Sequence, residues 1–249
     1  MCFPRLMRCG VVVRRTLRLD CHVMDIDYLI YIACSILSFV PALVLHEVAH
    51  GFAAYKLGDP TAKRAGRLSL NPIKHIDPFG TVILPLMLMV LNWPIFGYAK
   101  PVPYNPTYFK DPRKGDFIVG LAGPCANLAM AAAAALAAHA LYGAAPSLIG
   151  NDAFAYFYLM FLPMFTLINL YLMFFNLLPI PPLDGSSIFA LLIPRKYLGK
   201  YYEIQRYAFP IFMIAVVVLP YVISFNPFSW YLDVTAGNLA NLMFPFRIS

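Results

Sequence analysis

The sequence predicts an all-α polytopic membrane protein of about 4–6 transmembrane or re-entrant segments, with a short extended, β-like element associated with the membrane. Three observations carry that expectation. The chain is 61% hydrophobic and only 12% charged, with a mean hydropathy of +0.68, far from the composition of a water-soluble domain. Several stretches hold no Asp, Glu, Lys or Arg: 28–45, 78–99, 117–151, 153–183 and 207–232. Roughly 20 apolar residues carry a helix across a bilayer, and runs of this length meet that need. The basic residues collect in the connections between runs, where they orient a membrane protein.

The net charge of +7 therefore speaks to orientation before it speaks to partners. No basic patch is interleaved with aromatics in the manner of a nucleic-acid surface, so no nucleic-acid partner is expected. The cysteines, Cys2, Cys9, Cys21, Cys34 and Cys125, form no CxxC and no paired spacing. That argues against both a disulfide framework and a thiolate metal site.

Residues 1–23 carry Arg5, Arg8, Arg14, Arg15 and Arg18 ahead of Met24 and the first apolar run. A basic segment before an apolar one can be a targeting signal, but this run continues into polar chemistry that cleavage would discard. We expect 1–23 to be disordered or absent from the working protein, with Met24 as its start. The apolar run continues as one helix to 57, where Gly58-Asp59-Pro60 ends it. Proline disfavours a helical predecessor, and glycine terminates helices readily.

Gly66-Arg67-Leu68-Ser69-Leu70-Asn71-Pro72 alternates polar and apolar residues, the pattern of a short strand or extended edge. The run at 79–96 is interrupted by Gly80, Pro85 and Pro94 and has basic residues on both flanks. A spanning helix separates a basic side from a non-basic one, so a re-entrant or shallow element is favoured over a simple crossing. Residues 100–106, Lys-Pro-Val-Pro-Tyr-Asn-Pro, hold too much proline for a helix and read as extended backbone. Such backbone is tolerated at membrane depth only where protein or water covers it.

Another crossing runs over 117–142, with Gly120, Gly123 and an alanine-rich face at 129–138 that lets helices approach closely. The chain crosses back over 153–177. Residues 176–185, Asn-Leu-Leu-Pro-Ile-Pro-Pro-Leu-Asp-Gly, break that helix; a short helix follows at 186–193, and 209–224 forms the last crossing. Residues 226–249, with Trp230 and Tyr231, read as an interfacial tail. Loops 56–74, 100–114 and 195–206 carry five, four and four basic residues, whereas 143–152 carries none. The positive-inside rule places the first three on the cytoplasmic side.

Chemistry concentrates at His46-Glu47-Val48-Ala49-His50, near the inner end of the first helix. Residues four apart share a helix face, so both histidines can address one metal ion, with Glu47 beside them to take a proton from an activated water. Burying these three groups in so apolar a segment is costly unless something pairs them. A catalytic zinc takes three protein ligands and leaves a fourth position open. Asp184 is the best candidate for the third ligand. It ends a charge-free run, and Pro179, Pro181 and Pro182 free its carboxylate from helical geometry. Capping the helix that begins at Gly185 is its alternative role. His75 and Asp77, between Pro72 and Pro78, read as fixing the basic loop; His139 reads as packed or near the outer interface, and Glu203 as solvated.

HEVAH in a first hydrophobic helix, Gly123-Pro124-Cys125-Ala126-Asn127 in a later one, and the Asn176 to Gly185 segment resemble the site-2 protease family of intramembrane zinc metalloproteases. The likeness covers roughly 28–206. Gly58-Asp59-Pro60-Thr61, the 66–72 stretch and His75-Ile76-Asp77-Pro78-Phe79-Gly80 are similar to a compact bacterial branch without a PDZ domain. The resemblance implies one zinc ion held by His46, His50 and Asp184, with Glu47 as general base. It also implies Asn176 near the site, aiding substrate placement or oxyanion stabilisation, and Asn127 in a helix-packing or site-supporting role. It further implies transmembrane protein substrates. We expect a catalytic domain over 24–225 in a multi-pass protein of the cell membrane, and the loop charges independently put the active site toward the cytoplasm. No PDZ-type module fits within 249 residues, and Ser186-Ser187 stand where many relatives carry glycine and arginine.

A transmembrane substrate helix has its backbone carbonyls bonded internally and must unwind before attack. The stretch 66–72, or 100–106, is placed to receive the opened strand by edge pairing. Two other readings exist. An ion or solute transporter with a His/Asp-lined path would carry inverted repeats, and none is visible. A catalytically inactive relative that only binds membrane proteins is disfavoured by the complete set of ligands and Glu47.

Overall fold

The computed structural model describes residues 26–78, 83, 87, 100–201, 203–204, 207–208, 210–212 and 225–248. The expectation for 1–23 falls outside these residues, and those for 79–96 and 209–224 fall almost wholly outside them. Among the described residues the regular structure is helical, with no strand. Three helices there are long and apolar enough to cross a membrane: α1 (Ile26–Lys56), α2 (Pro112–Tyr142) and α3 (Asp152–Asn176).

Helix α1 runs unbroken through the HEVAH segment, with Pro41 inside it. Its end is set by Gly58, which adopts φ +104°, a left-handed conformation open to glycine. The chain then folds back so that Asp59 N–H reaches the Ala54 carbonyl at 3.0 Å. Helix α2 starts before its apolar run because Asp111 caps it, accepting from the N–H groups of Arg113 and Lys114, with Pro112 in the first turn. Among its buried positions, Gly120, Gly123, Asn127, Ala131, Ala134 and Ala138 recur every three or four residues and so form one face. Most are small, and α1 and α3 pack closely against that helix. Helix α3 contains a π-helical stretch, Tyr156–Phe161, and contributes Leu162, Leu170 and Met173 to the core.

Beyond α3 an irregular turn leads into α4 (Gly185–Leu192), which packs back on α2. Residues 227–243, here α5, are continuously helical through Pro227–Leu232, Asp233–Gly237 and Asn238–Met243. Asn226 caps this helix, and Ala236 and Ala240 bury its small face in the core formed with α2 and α3. The tail at 226–249 therefore contains a packed helix among its described residues.

The extended element exists as irregular backbone at 67–71 and 100–105, without a ladder. Side chains tie the two stretches together. The buried Arg67 guanidinium donates to the carbonyls of Lys74, Lys100 and Pro101. Lys100 N–H bonds to the His75 carbonyl at 3.0 Å, and His75 Nε2 lies 2.8 Å from the Ser69 carbonyl. Asp59 accepts from Thr61 N–H, the Thr61 hydroxyl and, at 2.6 Å, Asn105 N–H. Prolines at 72, 101, 103 and 106 remove donors that a ladder would require.

Candidate active site

The site forms where α1 and α2 cross. His50 Nδ1 lies 2.7 Å from the Val119 carbonyl, and His46 Nδ1 lies 2.5 Å from Asn127 Oδ1. As α2 rises from 119 to 127, its partners on α1 descend from 50 to 46, so the helices run antiparallel here. Gly123 sits between the two contacts. A Cβ there would lie 2.4 Å from His50 Nε2 and 2.6 Å from His46 Cε1, so only glycine lets the helices meet at this depth.

Asp184 arrives from the turn after α3. Gly185 makes that arrival possible, since a Cβ on it would come within 2.3 Å of the Leu177 and Leu178 carbonyls. Asp184 stands at the N-cap position of α4, yet its side chain makes no capping bond. It turns instead to the histidines: Oδ2 lies 3.1 Å from His46 Nε2 and 3.3 Å from His50 Nε2, which are 3.0 Å apart. The three side chains are 5%, 12% and 18% exposed, so little water screens them.

The outer hydrogen bonds dictate what this triangle can hold. The Val119 carbonyl can only accept, so His50 Nδ1 carries the proton of the neutral ring. Asn127 Nδ2 donates to the Ala42 carbonyl at 3.3 Å and to Asn169 Oδ1 at 2.9 Å. Asn169 Nδ2 in turn donates to the Phe165 carbonyl at 2.8 Å. Two backbone carbonyls thus fix both amide orientations, Asn127 presents oxygen to His46, and His46 Nδ1 must donate. Both Nε2 atoms are then lone pairs, facing a carboxylate oxygen that has no hydrogen-bond donor of its own. With both rings neutral, three inward-facing acceptors meet with no donor among them, an arrangement that a cation satisfies. Tetrahedral zinc, with bonds near 2.0–2.1 Å, places its ligand atoms about 3.3 Å apart, close to the spacing here. The residues present fit the metal.

Glu47 lies next in sequence to His46, and its Oε2 accepts from Val102 N–H at 2.9 Å. Of the other residues singled out from sequence, Asn127 meets His46 directly. Asn176 does not join the trio: its Nδ2 donates to the Leu172 carbonyl at 3.0 Å, within its own helix. His75 is buried in the loop between the two irregular stretches, His139 Nε2 lies 3.1 Å from the Met243 carbonyl, and Glu203 is exposed. Three groups at the site carried no assignment from sequence: Asn169, the Val119 carbonyl and Val102 N–H. Asn169 had a signal, as one of two amides, with Asn176, within the charge-free run 153–183. The other two are backbone atoms and had none.

A helical membrane fold that draws two histidines, a carboxylate and an adjacent glutamate into one buried site is that of a membrane metalloprotease. The chain belongs to peptidase family M50, the site-2 protease family, whose model matches residues 34–219. A Bacillus subtilis (strain 168) protein named "Putative zinc metalloprotease YwhC" is 37% identical over 182 residues, covering 73% of this chain and 79% of that protein. "Putative zinc metalloprotease Rip2" of Mycolicibacterium smegmatis is 33% identical over 150 residues, 60% of this chain and 53% of its own length. Its namesake in Mycobacterium tuberculosis (strain H37Rv) is 30% identical over 152 residues, 61% and 54% respectively. The match thus spans about half the length of these two mycobacterial proteins. No solved structure matches the chain.

Proposed function

We propose that this protein is a zinc-dependent intramembrane endopeptidase that cleaves transmembrane segments of membrane proteins. The observation that carries the reading is the convergence of His46 Nε2, His50 Nε2 and Asp184 Oδ2 within 3.0–3.3 Å of one another, three atoms that can each ligate one cation. These atoms would hold the zinc, which when bound supplies an electrophilic centre that activates water and polarises a peptide carbonyl. Glu47 takes the proton from the attacking water at its carboxylate and returns it to the leaving amine. Asn127 and the Val119 carbonyl keep the imidazoles in the tautomer that presents Nε2.

The substrate must reach this site unwound, and 66–72 offers an edge for it. Among the described residues, the N–H groups of Leu68, Ser69 and Leu70 have no partner. By contrast, the N–H groups of Lys100, Val102 and Asn105 are already bonded, and Pro101 and Pro103 have none. The basic loops at 56–74, 100–114 and 195–206 support entry from the cytoplasmic side.

Elemental analysis and proteolysis in liposomes test the assignment together. The purified protein should carry one zinc per chain, lost in His46→Ala and kept in Glu47→Gln. Glu47→Gln should cleave a transmembrane peptide at least about 100-fold more slowly. Full cleavage by Glu47→Gln would exclude Glu47 as the base, and absent cleavage by the zinc-loaded parent would favour a binding protein. Proline at 69 or 70 should slow cleavage without removing zinc; unchanged cleavage would exclude that edge.

A further inference from the structure

Proline lacks an N–H, so Pro101-Val102-Pro103 leaves a single backbone donor across three residues. The fold directs that donor to Glu47, with Val102 N–H 2.9 Å from Oε2. Val102 is 5% exposed, and its Cγ1 lies against Gly51, one helical turn beyond Glu47 on the same face of α1. A Cβ on Gly51 would approach Val102 Cγ1 to 2.8 Å, so the segment rests directly on the helix. Both ends are tied down from elsewhere. Arg67 holds the carbonyls of Lys100 and Pro101, and Asp59 holds Asn105 N–H. Neither tie uses the Val102 amide.

We propose that Val102 N–H is a positioning group for the reaction. It pins one oxygen of the Glu47 carboxylate, so that the other is held ready to take and return the proton. The flanking prolines restrict the backbone and remove competing donors. This rests on Glu47 being the general base. A glutamate on a helix otherwise samples several rotamers, and a displacement near 1 Å can slow a reaction by about 100-fold.

The test removes the proton and little else. The Val102 amide is replaced by an ester in the full chain, using the α-hydroxy analogue of valine, and Val102→Pro is made separately. Zinc content, kcat and KM are measured in liposomes with a fluorogenic transmembrane peptide that the parent cleaves. The ester should lower kcat by about tenfold or more, with zinc and KM within about twofold of the parent. The loss should shrink in a Glu47→Asp background, where the shorter side chain no longer reaches the amide. A fall in kcat below about fivefold, a change confined to KM, or loss of zinc by the ester form would overturn the proposal. If Val102→Pro fails to fold, the ester decides alone. Glu47→Gln in the same assay separates the two readings: if it cleaves, the base assignment fails. If it does not cleave and the ester is unaffected, only the amide's role falls.

Discussion

Asn127 Oδ1 lies 2.5 Å from His46 Nδ1, and this contact determines which ring nitrogen faces Asp184. The amide is itself oriented by its Nδ2 bonds to the Ala42 carbonyl and Asn169 Oδ1, which leave its oxygen turned to His46. Asn127→Ala should therefore weaken zinc binding by about 10- to 100-fold while leaving the three ligands in place. Competition with a chromophoric chelator measures this directly.

Asn169 acts one bond further out. It is fully buried, and its Oδ1 accepts from Asn127 Nδ2 at 2.9 Å. Asn169→Ala should leave a buried donor poorly satisfied and destabilise the protein by about 1–3 kcal/mol. Its effect on zinc affinity should be smaller than that of Asn127→Ala, and the double variant should be less than additive because the two share one network. Thermal unfolding and chelator competition on the three variants check both statements.

Gly123 is a test of close approach. In Gly123→Ala the new methyl would sit 2.4 Å from His50 Nε2, on the face that meets Asp184. Either α2 moves away or His50 turns, and overpacking of this kind costs about 1–3 kcal/mol. The variant should insert in the membrane and bind zinc at least about tenfold more weakly. A crystal or cryo-EM structure of the variant should show the α1–α2 separation increased at this level.

Acid should loosen the tie between the turn after α1 and the irregular stretch 100–105, which Asp59 makes through Asn105 N–H. Burial alone would raise the Asp59 carboxyl, but the Thr61 hydroxyl, the N–H groups of Asn105 and Thr61, and the Arg64 charge outweigh it and hold the pKa below its ordinary value. A carboxyl lowered in the folded state contributes stability above its unfolded pKa, about 3.9, and loses it as pH falls through the folded value. Protection of the Asn105 amide from hydrogen exchange should thus be constant from about pH 8 to 5, apart from intrinsic rates, and decline below about pH 4. In Asp59→Asn that acid-dependent decline should vanish.

Much of the site was legible because its chemistry is local or isolated. His46, Glu47 and His50 fall within five residues of one helix, and the period of that helix alone puts the two imidazoles side by side. Asp184 is remote, but it is the charge that ends a long apolar run, and such a charge must find a partner. Family resemblance alone points to Asn127 in the sequence, and in the structure it contacts His46. Family resemblance also points to Asn176, whose Nδ2 donates to the Leu172 carbonyl of its own helix. The helix at 227–243 was less legible, because alternating small and polar residues around Ala236 and Ala240 leave only a narrow apolar face.

By itself the sequence determined the membrane-type helical fold, the pair of histidines with the adjacent glutamate, and the lone carboxylate able to complete them. These follow from composition, helical period and the cost of burying charge, all of which act through neighbouring residues. Tertiary structure decided which nitrogen each histidine presents, that Asp184 faces the imidazoles rather than capping α4, and that a single amide between two prolines reaches Glu47. Those outcomes depend on backbone carbonyls and N–H groups that every residue shares. Only the packing of α1 against α2 and of 100–105 against α1 gives such common groups a particular partner.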